Sequence, residues 1–218
     1  MPQAKREPVA LGFSSHSGWA IVVAVTGSPF APVILERRRM EICDLTIPGS
    51  KQPFHAAESL PFNKAQALIN RCQNSSTHLA KQAVTALVAN ILQKGFHITC
   101  AGIVSASGRQ LPDLASILKS HALIHTAEGE FFRQVLADAC QHCRLPVMRI
   151  RQREIWDTAA KAFGIPQATL QRQISDLRRS IGTPWSTDEK FASMAAWIAM
   201  ESDLPMIPTA HDLDKSIT

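Results

Sequence analysis

Three apolar segments crowd the start of the chain, and the connections between them are too short to hold a helix. Val9–Phe13 and Trp19–Val25 are separated by Ser14–Gly18, a run of turn formers, and Thr26–Pro32 leads to a third segment from Val33 to about Cys43. Parallel neighbours need a crossover of about a dozen residues or more, so segments this close predict an antiparallel meander. Pro29 and Pro32 belong to a connection, because a central strand cannot spare the N–H that each lacks. Whatever follows must pack on a sheet begun this way.

The rest of the chain alternates. Residues 45–62 hold Pro48, Gly49, Pro53 and Pro61 and predict a surface loop. From Asn63 to Gln93 the apolar positions Leu68, Cys72, Leu79, Ala83, Leu87 and Ile91 recur at helical spacing, with Asn63 as N-cap and Gly95 as stop. His97–Ser105 is a fourth strand that ends in the turn Ser105–Gly108. A helix is expected from about Thr126 to Cys143, a fifth strand over Leu145–Ile150, and helices over about Arg153–Phe163, Pro166–Ser180 and Ser186–Ser202. The order βββ-α-β-α-β-ααα predicts an α/β chain with a mixed five-stranded sheet, three antiparallel strands and then two crossover strands, flanked by helices. Residues 1–203 form a single domain in this reading, and Leu204–Thr218, with two prolines and no periodicity, is a disordered tail.

Composition narrows the class. Among 218 residues, 45% are apolar and 19% charged, enough to bury a sizeable core and too apolar for a disordered chain. No apolar run reaches the length of a membrane span, and the basic start lacks the apolar stretch of a signal peptide, so the expected place is the cytoplasm, away from membranes. Five cysteines, an odd number, fit reduced thiols there. Cys140 and Cys143 stand close, but zinc would need two further ligands; His125 or His142 could be offered, and no second pair sits at metal-site spacing.

The element order and a few short motifs resemble the ribonuclease H-like superfamily, and within it the RuvC-like Holliday-junction resolvases. Leu11-Gly-Phe-Ser14 followed by Gly18-Trp-Ala-Ile-Val resembles that branch's first hairpin, in which a strand ending Gly-Ile-Asp turns into an apolar second strand. Glu130 to Ile155 is similar to its helix, Leu-Pro-Val strand and basic stretch, and Thr187 to Trp197 is similar to its closing Ala-rich helix with acids in the first turn. The resemblance implies metal-dependent phosphodiester cleavage. Carboxylates of the first strand, the fourth strand and the last helix would hold two Mg²⁺ ions about 4 Å apart, since Mg²⁺ prefers hard oxygen ligands. Here Ser14 stands at the first of those positions, and Ile98–Ser105 contains no acid; only Asp188 and Glu189 remain. The resemblance therefore implies the fold together with an eroded centre.

Several residues remain as candidates. If cleavage survives, its acids are Glu128, Asp188 and Glu189, with Mg²⁺ as cofactor; the bland alternative for the last two is a helix cap, where acids favour the dipole. Ser14, Ser15, His16 and Ser17 could present hydroxyls and backbone N–H groups to a phosphate, or form an ordinary turn. Arg149, Arg151 and Arg153 flank the fifth strand and would give DNA or RNA a basic face, within a net charge of +5, unless they are merely solvated. His125 and Glu128, three apart, can hold a metal or act as acid and base, or belong to a solvated helix start; His55 is a loop candidate beside them. The four tryptophans are expected in the core. The leading expectation is a domain, monomeric or homodimeric, that binds nucleic acid or another phosphate-bearing ligand without efficient catalysis. A metal-dependent nuclease with a rearranged acid set and a protein-interaction module are the alternatives.

Overall fold

Alternation along the first strand sorts the molecule into two layers. The computed structural model describes residues 7–106 and 110–202. In β1 (Pro8–His16), Val9, Leu11 and Phe13 face one apolar cluster, while Ala10 faces another. The period of two sends neighbouring side chains to opposite faces of the sheet. β1 pairs antiparallel with β2 (Trp19–Ser28), and β2 pairs antiparallel with β3 (Ala31–Glu41). β4 (His97–Ser105) lies parallel to β1, and β5 (Val147–Arg151) parallel to β4. The strand order is β3-β2-β1-β4-β5, a mixed five-stranded sheet with three antiparallel strands and two crossover strands, as expected from the sequence. β3 is an edge, which is why it accepts Pro32.

One face carries α1 (Pro53–Ala57), α2 (Phe62–Gln93), α3 (Leu114–Leu118) and α4 (His121–His142). α2 buries Ala65, Ile69, Cys72, Ser76, Ala80, Val84, Leu87 and Ile91, a stripe at three- and four-residue spacing. The opposite face carries α5 (Ile155–Phe163), α6 (Gln167–Asp176), the short α7 (Arg178–Ile181) and α8 (Thr187–Glu201). A single 3₁₀ turn, Gln152–Glu154, joins β5 to α5.

The seat of α8 is set by two glycines. Gly12 of β1 and Gly102 of β4 are register partners. A Cβ on Gly12 would run into the Ala192 carbonyl, and one on Gly102 into the Ala195 carbonyl. Ala192, Ala195, Ala196 and Ala199 keep the helix side of that contact small and are all buried. α8 therefore lies almost on the sheet backbone, antiparallel to β1, with its first turn at the end of β1.

Several expected boundaries shift. α2 starts at Phe62 behind Pro61, and the Asn63 side chain accepts from Lys64 N at 2.9 Å and does not cap. The loop over 45–62 contains α1, too short to show a period. α4 starts at His121, five residues before the expected start at Thr126. The helix expected over Pro166–Ser180 is divided into α6 and α7. The expected tail, Leu204–Thr218, and Ser107–Arg109, which include the end of the turn after β4, lie outside the described residues. No described helix is long and apolar enough to cross a membrane.

Candidate functional site

Parallel strands present their carboxyl ends together, and open α/β sheets bind ligands at that edge. Here β1, β4 and β5 end there, at His16, Ser105 and Arg151. On the α8 face of this edge, Ser14 Oγ donates to Asp188 Oδ1 at 2.8 Å, and His16 Nε2 bonds the same oxygen at 2.9 Å. A carboxylate acceptor calls for the Nε2–H form of that ring. The serine donates to the acid and not to the imidazole, so the three side chains form a positioning network and not a nucleophile with its base.

The network continues sideways across the sheet. The His16 ring stacks on Trp19, with centroids 4.1 Å apart and planes 9° apart, and Arg39 Cζ lies 3.9 Å from the Trp19 ring. β2 lies between β1 and β3, so the indole is held between the imidazole and the guanidinium. In the other direction, Ser105, Ala106, Gln152, Arg153, Trp156 and Phe191 line an open cleft of about 500 Å³. Phe191 is one turn along α8 from Asp188, so the cleft and the network adjoin. Trp156 and Phe191 lie 6.0 Å apart at 47° and make an aromatic floor beside the exposed Arg153.

The predicted site residues divide. Of the four hairpin residues, Ser14 and His16 reach the site. Ser14, Ser15 and His16 stand in the antiparallel ladder with β2, which leaves Ser17 and Gly18 as a tight turn instead of a phosphate-cradling loop. Arg149 turns to the opposite face, bonding Glu130 and, at 2.7 Å, Gln134 of α4. Arg151 and Arg153 share Glu154 Oε1 at 3.1 and 3.2 Å, and of the three only Arg153 lines the cleft. Within the run Arg37–Arg39, Arg37 donates at 3.0 Å to the carbonyls of Ile181 and Thr183, tying β3 to the segment before α8. Two of the tryptophans expected in the core, Trp19 and Trp156, are half-buried at the site, whereas Trp185 and Trp197 are buried.

The acids Glu128, Asp188 and Glu189 do not come together. Glu189 closes a capping box with Ser186, taking the Ser186 N–H at 2.8 Å. Glu128 is buried on the other side of the sheet, among α1 and α4. There it accepts from Phe54 N at 3.4 Å, His55 N at 3.2 Å and the His55 ring at 2.8 Å. Burial raises the Glu128 carboxyl above its ordinary range, against the pull of those donors from His55 and Phe54. Ser14 and the acid-free β4 leave Asp188 with two side-chain donors where two Mg²⁺ ions would need several carboxylates, so these residues do not fit that metal pair.

Sequence reasoning missed His121 and Trp156 as site candidates. The first was hidden by the late start assigned to α4, and the second shows in the sequence only as one more apolar residue of α5. No protein-family model and no curated protein sequence matches this chain. Among solved structures, the chain is similar to Thermus thermophilus RuvC in complex with a Holliday junction substrate, at 11% identity and a TM-score of 0.47, over 88% of this chain and 92% of that one. It is similar to a second Thermus thermophilus RuvC structure at 9% identity and a TM-score of 0.46, over 88% of this chain and 93% of that one.

Proposed function

We propose that this chain is a ribonuclease H-like domain that binds nucleic acid along the carboxyl edge of its sheet and does not cleave it efficiently. The observation that carries this reading is the bonding of Asp188. Its Oδ1 is taken by Ser14 and His16, at the place where the resemblance calls for carboxylates gathered around metal ions. What the edge offers instead is cation and aromatic surface: Arg39 on Trp19 with His16 beyond it, and Arg153 beside Trp156 and Phe191. Guanidinium groups attract a phosphate backbone whatever its sequence, and the half-buried rings of Trp156 and Phe191 can stack unpaired bases.

The test is binding of labelled duplex, branched and single-stranded DNA across about 50–200 mM salt. Affinity is expected to fall linearly on a log–log plot. Arg153→Ala and Arg39→Ala should each weaken binding and lower the slope by about one counterion. Arg149→Ala should change the slope less, because that side chain lies on the opposite face of the sheet, against Glu130 and Gln134 of α4. Binding that ignores salt, or no binding at about 50 mM, overturns the proposal.

A further inference from the structure

On the sheet face opposite α8, three imidazoles converge. His121 and His125 are four apart on α4, and Glu128 follows three later, so all three project from one side of the helix. His55 comes from α1. One ring nitrogen from each histidine lies within 4.8 Å of the others, the only such grouping of metal-binding side chains among the described residues. The rings of His55 and His125 lie 4.7 Å apart, and those of His121 and His125 lie 4.5 Å apart.

The surroundings orient these rings as ligands. Buried Glu128 bonds His55 Nδ1 at 2.8 Å, which leaves Nε2 as the nitrogen available to a ligand. The same carboxylate accepts the Phe54 and His55 backbone N–H groups at the start of α1, so it places that helix as well as the ring. Glu58, just beyond α1, stands 3.9 Å from His121 Nδ1, a charge beside that ring without a hydrogen bond to it. A carboxylate behind a histidine fixes its tautomer and raises its basicity toward a metal. His121 Nε2 and His125 Nε2 are 3.0 Å apart. Nitrogens bound at 2.0–2.1 Å in a tetrahedral site would be separated by roughly 3.4 Å, so this pair opens by a few tenths of an ångström around an ion, and the His55 ring, within 4.8 Å of both, turns in to complete the set.

We propose that His55, His121 and His125 bind one Zn²⁺ ion, which fastens α1 to α4 and keeps its fourth position open to water. Three neutral imidazoles suit zinc, and they do not suit the hard, oxygen-seeking Mg²⁺. Both α4 histidines are exposed, so an ion can enter from solvent. The site lies away from the Asp188 edge and does not depend on how that edge functions.

The experiment uses the full chain freed of metal with a chelator. Zn²⁺ titrated in competition with a chromophoric chelator should bind at one equivalent. Co²⁺ should give the visible bands of a low-coordinate nitrogen site, without the near-ultraviolet charge transfer that thiolate ligands produce. His121→Ala and His125→Ala, which remove exposed side chains and should leave the circular dichroism unchanged, should each abolish one-equivalent binding. Glu128→Gln should weaken it by about 10–100-fold. Absence of one-equivalent binding, a thiolate charge-transfer band, or affinity unchanged by both alanine variants overturns the proposal.

Discussion

Ser14 and Asp188 are 174 positions apart in the chain, and their hydrogen bond exists because β1 and α8 run antiparallel with the glycine pair beneath them. At this scale the sequence discloses residue types and hides partners. The acids at 188 and 189 read equally well as ligands or as a cap; the backbone makes Glu189 the cap and turns Asp188 outward to Ser14 and His16. Arg149 and Arg153 look alike in the sequence, yet strand alternation sends one to α4, while the 3₁₀ turn leaves the other over the cleft. Of the five cysteines, expected as reduced thiols, none is paired with another. Cys43, Cys72, Cys100 and Cys140 are buried, and burial pushes each of those thiols up. Cys143 is half-buried, with its Sγ 3.5 Å from Thr85 Oγ1. Thiolates are the reactive form, so alkylation of the native chain near neutral pH should label Cys143 first and the other four only in denaturant. Mass mapping after a short pulse of iodoacetamide checks this, and early labelling of Cys140 would contradict it.

Elements were legible where they are long. The stripe of α2 and the apolar strands announce themselves, whereas α1 has five residues and no room for a period. α4 starts early, with Ser120 extended at its N-cap and Leu123 and Ile124 packing in the first turn before the apolar rhythm becomes plain; that early turn carries His121 and so decides the metal site. α8 tests two element-level forces. Ser186 accepts from Asp188 N at 3.1 Å while Glu189 reaches back to it. Ser186→Ala should lower unfolding free energy by about 1 kcal/mol, read from urea midpoints. Gly12→Ala should cost more, at least about 1–3 kcal/mol, because the added methyl meets backbone, the Ala192 carbonyl, and not a side chain that can rotate away. Equal midpoints for Gly12→Ala and the unmodified chain would mean that α8 does not sit as close to the sheet as described.

For the whole molecule, one sheet separates two polar sites of different chemistry: hydroxyl, carboxylate, imidazole and guanidinium on the α8 face, and three imidazoles on the α4 face. The mixed sheet was readable from the opening meander and the two later crossovers, but its strand order and the pairing of loops with helix starts across the layers were not. The last prediction concerns cleavage and begins at Ser14. With Asp188 already bonded to Ser14 and His16, and no acid in Ile98–Ser105, the unmodified chain should not cleave branched DNA or RNA–DNA hybrid with Mg²⁺ above background. Ser14→Asp replaces a donor 2.8 Å from Asp188 with a second carboxylate. Two carboxylates so close repel, and one takes up a proton or the fold loses stability, unless a cation lies between them. The variant should therefore melt below the unmodified chain in chelator and regain more of its melting temperature than the unmodified chain does when Mn²⁺ is added. Cleavage should stay at background, because β4 still supplies no acid for the second ion. Thermal melts with and without Mn²⁺, run beside a gel assay on the same samples, separate the two effects. Cleavage by the unmodified chain that Asp188→Asn abolishes would show instead that a single carboxylate at this edge suffices.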